Sequence, residues 1–152
     1  MKEITLNSFT LLKALVDDED YEKVMRYKRW RLQQHGGHAV AGSTSMKMHD
    51  VVFPVDSGFE VDHIDGNPLN NQKSNLRQAT RKQNLQNRRT SQRSTTGYKG
   101  VSYNKACAKY AASIKTDKVK QHLGLFATAE EAAHAYDAKA KELFGEFARL
   151  NF

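Results

Sequence analysis

Cysteine is almost missing from the chain: Cys107 is the only one in 152 residues. One thiol excludes an internal disulfide and a Cys-rich zinc site, and it fits a reducing cytoplasm. No early apolar run is long enough for a signal peptide or a membrane helix. The expectation is a soluble, cytoplasmic protein with no membrane partner. At this length the chain holds one domain or two small ones. Without a staple, each small core depends on efficient packing.

Acid is the second scarcity. The net charge is +7, yet residues 1 to 60 are nearly balanced. Between Asp65 and Asp117 there is no carboxylate at all, while eleven Lys or Arg occur. Such a stretch attracts a polyanion, and nucleic acid is the usual one. A merely solvated basic face is the weaker explanation over so long a span.

Within this background one stretch stands out, Val61 to Asn87, VDHIDGNPLNNQKSNLRQATRKQNLQN. A short strand, Phe59 to Ile64, delivers Asp62 and His63. Asp65-Gly66-Asn67-Pro68 is strong turn chemistry. Leu76 to Thr80 reads as a second short strand. Thr80 and Gln83 then form a T-x-x-Q capping box that starts a helix near Arg81 and puts Asn84 and Asn87 on one face. His63 is placed to take a proton from water. Asp62 and Asn84 are hard oxygen donors that suit Mg²⁺ or Mn²⁺ better than zinc. Arg77, Arg81, Lys82, Arg88 and Arg89 surround them and would meet phosphate. Leu69, Leu76, Leu85 and the capping box argue against a polar low-complexity linker here.

Upstream, Lys2 to Asn7 and Phe9 to Val16 read as strands. Asp17 to Asp20 reads as the capped start of a helix to about Tyr27, with Tyr21, Val24 and Met25 inward. Trp30 to Gln34 and His38 to Ala41 read as a hairpin around Gly36-Gly37, with Trp30 in the core. His35 and His38 flank the turn and are expected to face solvent, outside the site. Met46 to Val55 reads as another strand carrying His49.

Downstream, residues 91 to 96 read as a linker between a domain at 1–90 and one at 97–152, and its basic Arg93 would lie along a phosphate backbone. Lys99 to Tyr103, Tyr110 to Ile114 and Gln121 to Phe126 read as three strands. Thr128 and Glu131 form a second capping box. The helix to Phe144 carries Ala129, Ala132, Ala133, Tyr136, Ala140, Leu143 and Phe144 at 3/4 spacing, and Gly145 stops it. The fold class is α+β. The second domain is a small three-stranded antiparallel sheet with one packed helix.

Asp62-His63 with Asn75 and Asn84 resembles the HNH, or His-Me finger, nuclease motif. Gly97-Tyr98-Lys99-Gly100-Val101, Leu123-Gly124, Phe126, the EEAAHAYD stretch and Leu150-Asn151-Phe152 resemble the AP2 DNA-binding domain. Joined in this order, the two are similar to bacteriophage HNH-AP2 homing endonucleases. The resemblance implies a ββα-metal unit, with His63 as general base and Asp62 and Asn84 holding one Mg²⁺ or Mn²⁺. It implies that Asn75 pins the loop that aims His63, that double-stranded DNA is the partner, and that a monomer nicks one strand. It also implies DNA contacts from the second domain, whose candidates are Tyr98, Lys99, Tyr103, Lys105, Lys109 and Lys115. Lys where such sheets use Arg favours phosphate positioning over base readout. His49-Asp50 stands where the family usually has His-Arg, reversing a charge near the DNA path; His49 itself reads as structural. The alternative function is a DNA-binding regulator whose nuclease unit is inactive.

Overall fold

The computed structural model describes residues 1–6, 11–42, 44–90, 94–116 and 119–152. Contacts divide the chain into two units, Met1–Asn84 and Leu85–Phe152. The first has β1 (Lys2–Thr5), β2 (Lys13–Val16), α1 (Tyr21–Met25), β3 (Trp30–Leu32), β4 (Ala39–Ala41), α2 (Met48–Val52), β5 (Glu60–His63), β6 (Leu76–Ala79) and α3 (Arg81–Gln86), which runs two residues past the division. Its strands form three antiparallel ribbons, β1 with β2, β3 with β4 and β5 with β6.

Short ribbons bury little area, so this core is assembled from many elements. Ile4, Leu6, Val16, Val24, Trp30, Met48, Val52 and Leu76 pack into one buried cluster. The long loop after His63 is hooked onto β2: Leu15 N–H donates to Leu69 O, and Asn71 N–H donates to Leu15 O, both at 2.8 Å. Asp17, expected to cap a helix, makes no cap bond. Its carboxylate instead accepts from the Gln72 amide and the Lys73 N–H, at 3.1 and 2.8 Å. The acidic run therefore anchors the loop that follows the Asp-His pair.

Two upstream expectations are corrected. Met46 to Val55 is not a strand; it contains α2, with Met48, His49, Val51 and Val52 buried. Adjacent buried pairs three residues apart are a helical stripe, and that is why the alternation was imperfect. Met25 is 47% exposed, because α1 is only five residues long and buries Val24 alone. Residues 7–10 of the expected first strands lie outside the described residues.

In the second unit β7 (Val101–Asn104), β8 (Lys109–Thr116) and β9 (Val119–Phe126) form one antiparallel sheet in that order. α4 (Ala129–Phe144) packs on it. Thr128 and Glu131 close the expected capping box at its start. Ala132, Ala133 and Ala140 are fully buried, so the helix backbone lies close to the sheet. Tyr110, Ile114, Leu123, Phe126, Tyr136 and Phe144 are in the two apolar clusters, as expected. Gly100 has φ +77, and a Cβ there would sit 2.0 Å from the Tyr136 ring. Asp137 ties down the C-terminus, accepting from the Asn151 N–H, the Asn151 amide and the Phe152 N–H. Thr96 donates to Val101 O at 3.1 Å; residues 91–93 of the expected linker, Arg93 among them, lie outside the described residues.

Candidate metal centre and imidazole cluster

The β5–β6 register places Asp62 opposite Arg77 and His63 opposite Leu76. Asp62 is buried, and its Oδ2 accepts from Arg77 Nε at 2.8 Å. Arg77 was expected to meet phosphate; the cross-strand register makes it the partner of the carboxylate instead. Strand alternation puts Glu60 on the same face as Asp62. Asn84 reaches that face from α3, where the Thr80–Gln83 box fixes the helix start: its amide donates to Glu60 Oε2 at 2.8 Å. Glu60 is a residue that sequence reasoning missed. Its signal was available, since it lies two residues before Asp62 on a strand.

Asp62, Glu60 and Asn84 therefore offer two carboxylates and an amide oxygen, all hard oxygen ligands. That chemistry fits a Mg²⁺-type ion. A carboxylate has about four acceptor positions, so pairing with Arg77 is compatible with binding a cation.

Asn75 spans the turn that follows His63. Its Oδ1 accepts from Asp65 N–H at 3.0 Å, and its Nδ2 donates to Asp65 Oδ1 at 3.0 Å and to Asn70 O at 2.8 Å. Ile64 N–H also donates to Asn75 O at 2.9 Å. One residue closes the loop beside His63, its side chain on Asp65 and its backbone carbonyl on Ile64.

His63 is 6% exposed, and its Nε2 lies 3.2 Å from Asn71 Oδ1. Asn71 is fully buried, and its Nδ2 donates to Leu69 O and contacts Met48 Sδ. That fixes the amide orientation, so Oδ1 is the acceptor and His63 Nε2 is the donor. The His63 lone pair is then on Nδ1. Asn71 was not singled out from the sequence; an Asn-dense loop gives no sign of which amide turns inward.

Two more imidazoles surround this ring. His38 comes from the β3–β4 turn and His49 from α2. Ring centroids are 4.9 Å apart for His38 and His49, 5.0 Å for His49 and His63, and 5.7 Å for His38 and His63. One nitrogen from each ring lies within 4.8 Å of the others. His38 was expected to face solvent, but the Gly36-Gly37 turn folds it back, with both glycines at positive φ. His49 was read as structural and is buried beside the base candidate. Burial holds all three rings below the ordinary imidazole range: His38 to about 4, His49 to about 2, and His63 in the same direction against opposing pulls from Asn71, Asp65 and Asp62. All three are neutral at pH 7.

Of the phosphate-facing candidates, Arg81, Lys82, Arg88 and Arg89 are exposed. Arg81 also lies 3.8 Å from Glu60. In the second unit Lys105, Lys109, Lys115 and Tyr103 are exposed. Ile114 and Ala112 point to the helix, so Lys109 and Lys115 are on the opposite sheet face. Lys115 pairs directly across from Lys120. Like charges opposite each other destabilise a bare sheet. Lys99, expected on a strand, precedes β7 and is half-buried; its ammonium donates to Gln86 O, and burial lowers it to about 8. Tyr98 donates its hydroxyl to Glu130 at 3.2 Å.

Residues 54–86 match the HNH endonuclease family, which spans the Asp-His pair, the loop and α3. A protein of Acanthamoeba polyphaga mimivirus described as an uncharacterized HNH endonuclease is 35% identical over 144 residues, covering 91% of this chain and 74% of the relative. The chain belongs to the HNH endonuclease family. Protein 3.8 of Escherichia phage T7 is also 35% identical, over 97 residues, covering 64% of this chain and 79% of that protein. No solved structure matches the chain. No helix among the described residues is long and apolar enough to cross a membrane.

Proposed function

We propose that this HNH nuclease is a homing-type DNA endonuclease of the phage kind that nicks one strand of double-stranded DNA as a cytoplasmic monomer. The observation that carries the reading is the Asn84–Glu60 bond. It brings the α3 amide to the face of β5 that presents Asp62, on the strand that ends in His63. Asp62 and Asn84 hold one divalent cation, Mg²⁺ or Mn²⁺, which neutralises charge on the phosphate and the leaving oxygen when bound. His63 accepts the proton of the attacking water at Nδ1. Asn71 holds the ring in that tautomer, and Asn75 holds the loop beside it. Arg81, Lys82, Arg88 and Arg89 bind backbone phosphates, and Arg93, which lies outside the described residues, is a further phosphate contact. The C-terminal unit serves as an AP2-like DNA-binding domain. Its Lys109, Lys115 and Lys120 face gains from an anion laid across the opposed pair, with Tyr103 and Lys105 at the edge; Tyr98 and Lys99 are tied within the unit.

One observation favours a second reading. The His63 ring is buried beside His38 and His49, which limits the access of water to it. If water does not reach Nδ1, the chain binds DNA without cutting, as a regulator would. Nicking of supercoiled plasmid with Mg²⁺ or Mn²⁺ separates the two. Wild type is expected to nick, and His63→Ala to be slower by ~10²–10⁴-fold. Wild-type protein that binds the plasmid and leaves it intact establishes the regulator.

A further inference from the structure

Two polar atoms in the imidazole cluster lack a hydrogen-bond partner. Nδ1 of His38 and Nδ1 of His49 are buried with no hydrogen bond. An orphaned buried polar atom costs about 1–3 kcal/mol. The orientation of the rings explains what those atoms present. His49 Nε2 lies 3.4 Å from Asp50 Oδ1, so a neutral ring with its N–H turned to that carboxylate keeps its lone pair on Nδ1. Asn71 does the same for His63 from the other direction. A carboxylate or amide oxygen behind a histidine is the arrangement that orients an imidazole toward a metal. His38 enters from a glycine turn, where an added Cβ on Gly36 would press on its ring at 3.1 Å.

We infer that His38, His49 and His63 form a second metal site, distinct from the oxygen-donor site at Asp62 and Asn84, which takes a transition metal of the zinc class through three imidazole nitrogens. Three histidines and one open position are a known zinc donor set, and nitrogen donors do not suit Mg²⁺. Ligands about 2.0–2.1 Å from a tetrahedral ion lie about 3.4 Å from one another. The present separations, up to 4.8 Å, therefore close by something over an ångström on binding. The His38 turn is the half-exposed member that can move. The consequence rests on the nuclease reading above. The lone pair that His63 would use on water is the one it gives to the ion, so zinc silences the enzyme while Mg²⁺ supports it.

The test begins without DNA. Metal-free full-length protein is titrated with Co²⁺ and followed by its visible absorption, and Zn²⁺ is then used to displace it. One equivalent is expected to bind, with affinity reduced at least ~10-fold in both His38→Asn and His49→Asn. Asp62→Asn, which removes the oxygen-donor site, is expected to leave Co²⁺ affinity unchanged. Far-UV circular dichroism confirms that each variant is folded. Undiminished Co²⁺ binding in a folded His38→Asn overturns the proposal, and so does a loss that follows Asp62→Asn instead. In the plasmid assay with Mg²⁺, the zinc concentration for half-inhibition is expected to rise at least ~10-fold in His38→Asn. A chain that binds Co²⁺ as described but nicks nothing leaves the metal site standing and removes only the nuclease reading.

Discussion

The two units solve the same problem, a small core without a disulfide, in opposite ways. Among the described residues the first unit buries Asp20, His49, Asp62, His63, Asn71 and Asn75, whereas the second buries only Asn87 and Asp137. The second is held by an alanine face on a three-stranded sheet, where shape decides stability. The first is three separate ribbons whose loops are joined by amides and carboxylates. The proposed function accounts for the difference. A site that must hold a cation and a proton acceptor needs buried polar groups, and those groups need partners. The DNA platform proposed for the second unit would need only a firm back and a charged front.

The contrast can be broken hardest at Gly100. Gly100→Ala sets a Cβ 2.0 Å from the Tyr136 ring and 2.8 Å from Ser113 O, at φ +77. Overpacking and backbone strain together are expected to cost about 3 kcal/mol or more. Calorimetry should show the second unit melting early while the first keeps its transition; a variant that melts like wild type would show that shape does not govern this unit.

Acid should act on the other unit. In metal-free protein the folded rings of His38 and His49 resist protonation down to about 4 and about 2, while the unfolded chain takes up protons below ~6.5. The unfolded state thus binds more protons, so stability is fully present above pH 6.5 and falls as the pH drops below it. The expected slope is about 1.4 kcal/mol per pH unit for His49 alone. Thermal melts from pH 7 to 4 check this, and His49→Asn should flatten the curve of the first unit and leave that of the second unchanged. Because His63 is also held low, nicking should persist somewhat below pH 6.5 before it fails.

The smallest effects sharpen the comparison. Thr128→Ala and Thr80→Ala each remove one half of a capping box and should each cost about 1 kcal/mol. The first is read in the melting of the second unit. The second frees the start of α3, so its mark should be weaker Mn²⁺ binding through Asn84, which isothermal calorimetry would detect.

What the chain alone determined is whatever depends on near neighbours. The capping boxes at Thr80 and Thr128, the alanine spacing of α4 and the turn after His63 are local patterns, and each is found where the residues placed it. The stretch that carries the D-H, Asn75 and Asn84 spacing is the one that matches the HNH family, and that match is a property of the sequence. Tertiary structure alone decided the rest. His38, His49 and His63 are on a turn, a helix and a strand, and no short-range rule joins them. Arg77 was read as a phosphate contact because cross-strand register is invisible until β5 and β6 pair. Met46 to Val55 holds the helix α2 because its buried pairs face a core built by distant segments. Periodicity is written by hydrogen bonds a few residues long; which side chains share a pocket is written by burial, which only the assembled chain supplies.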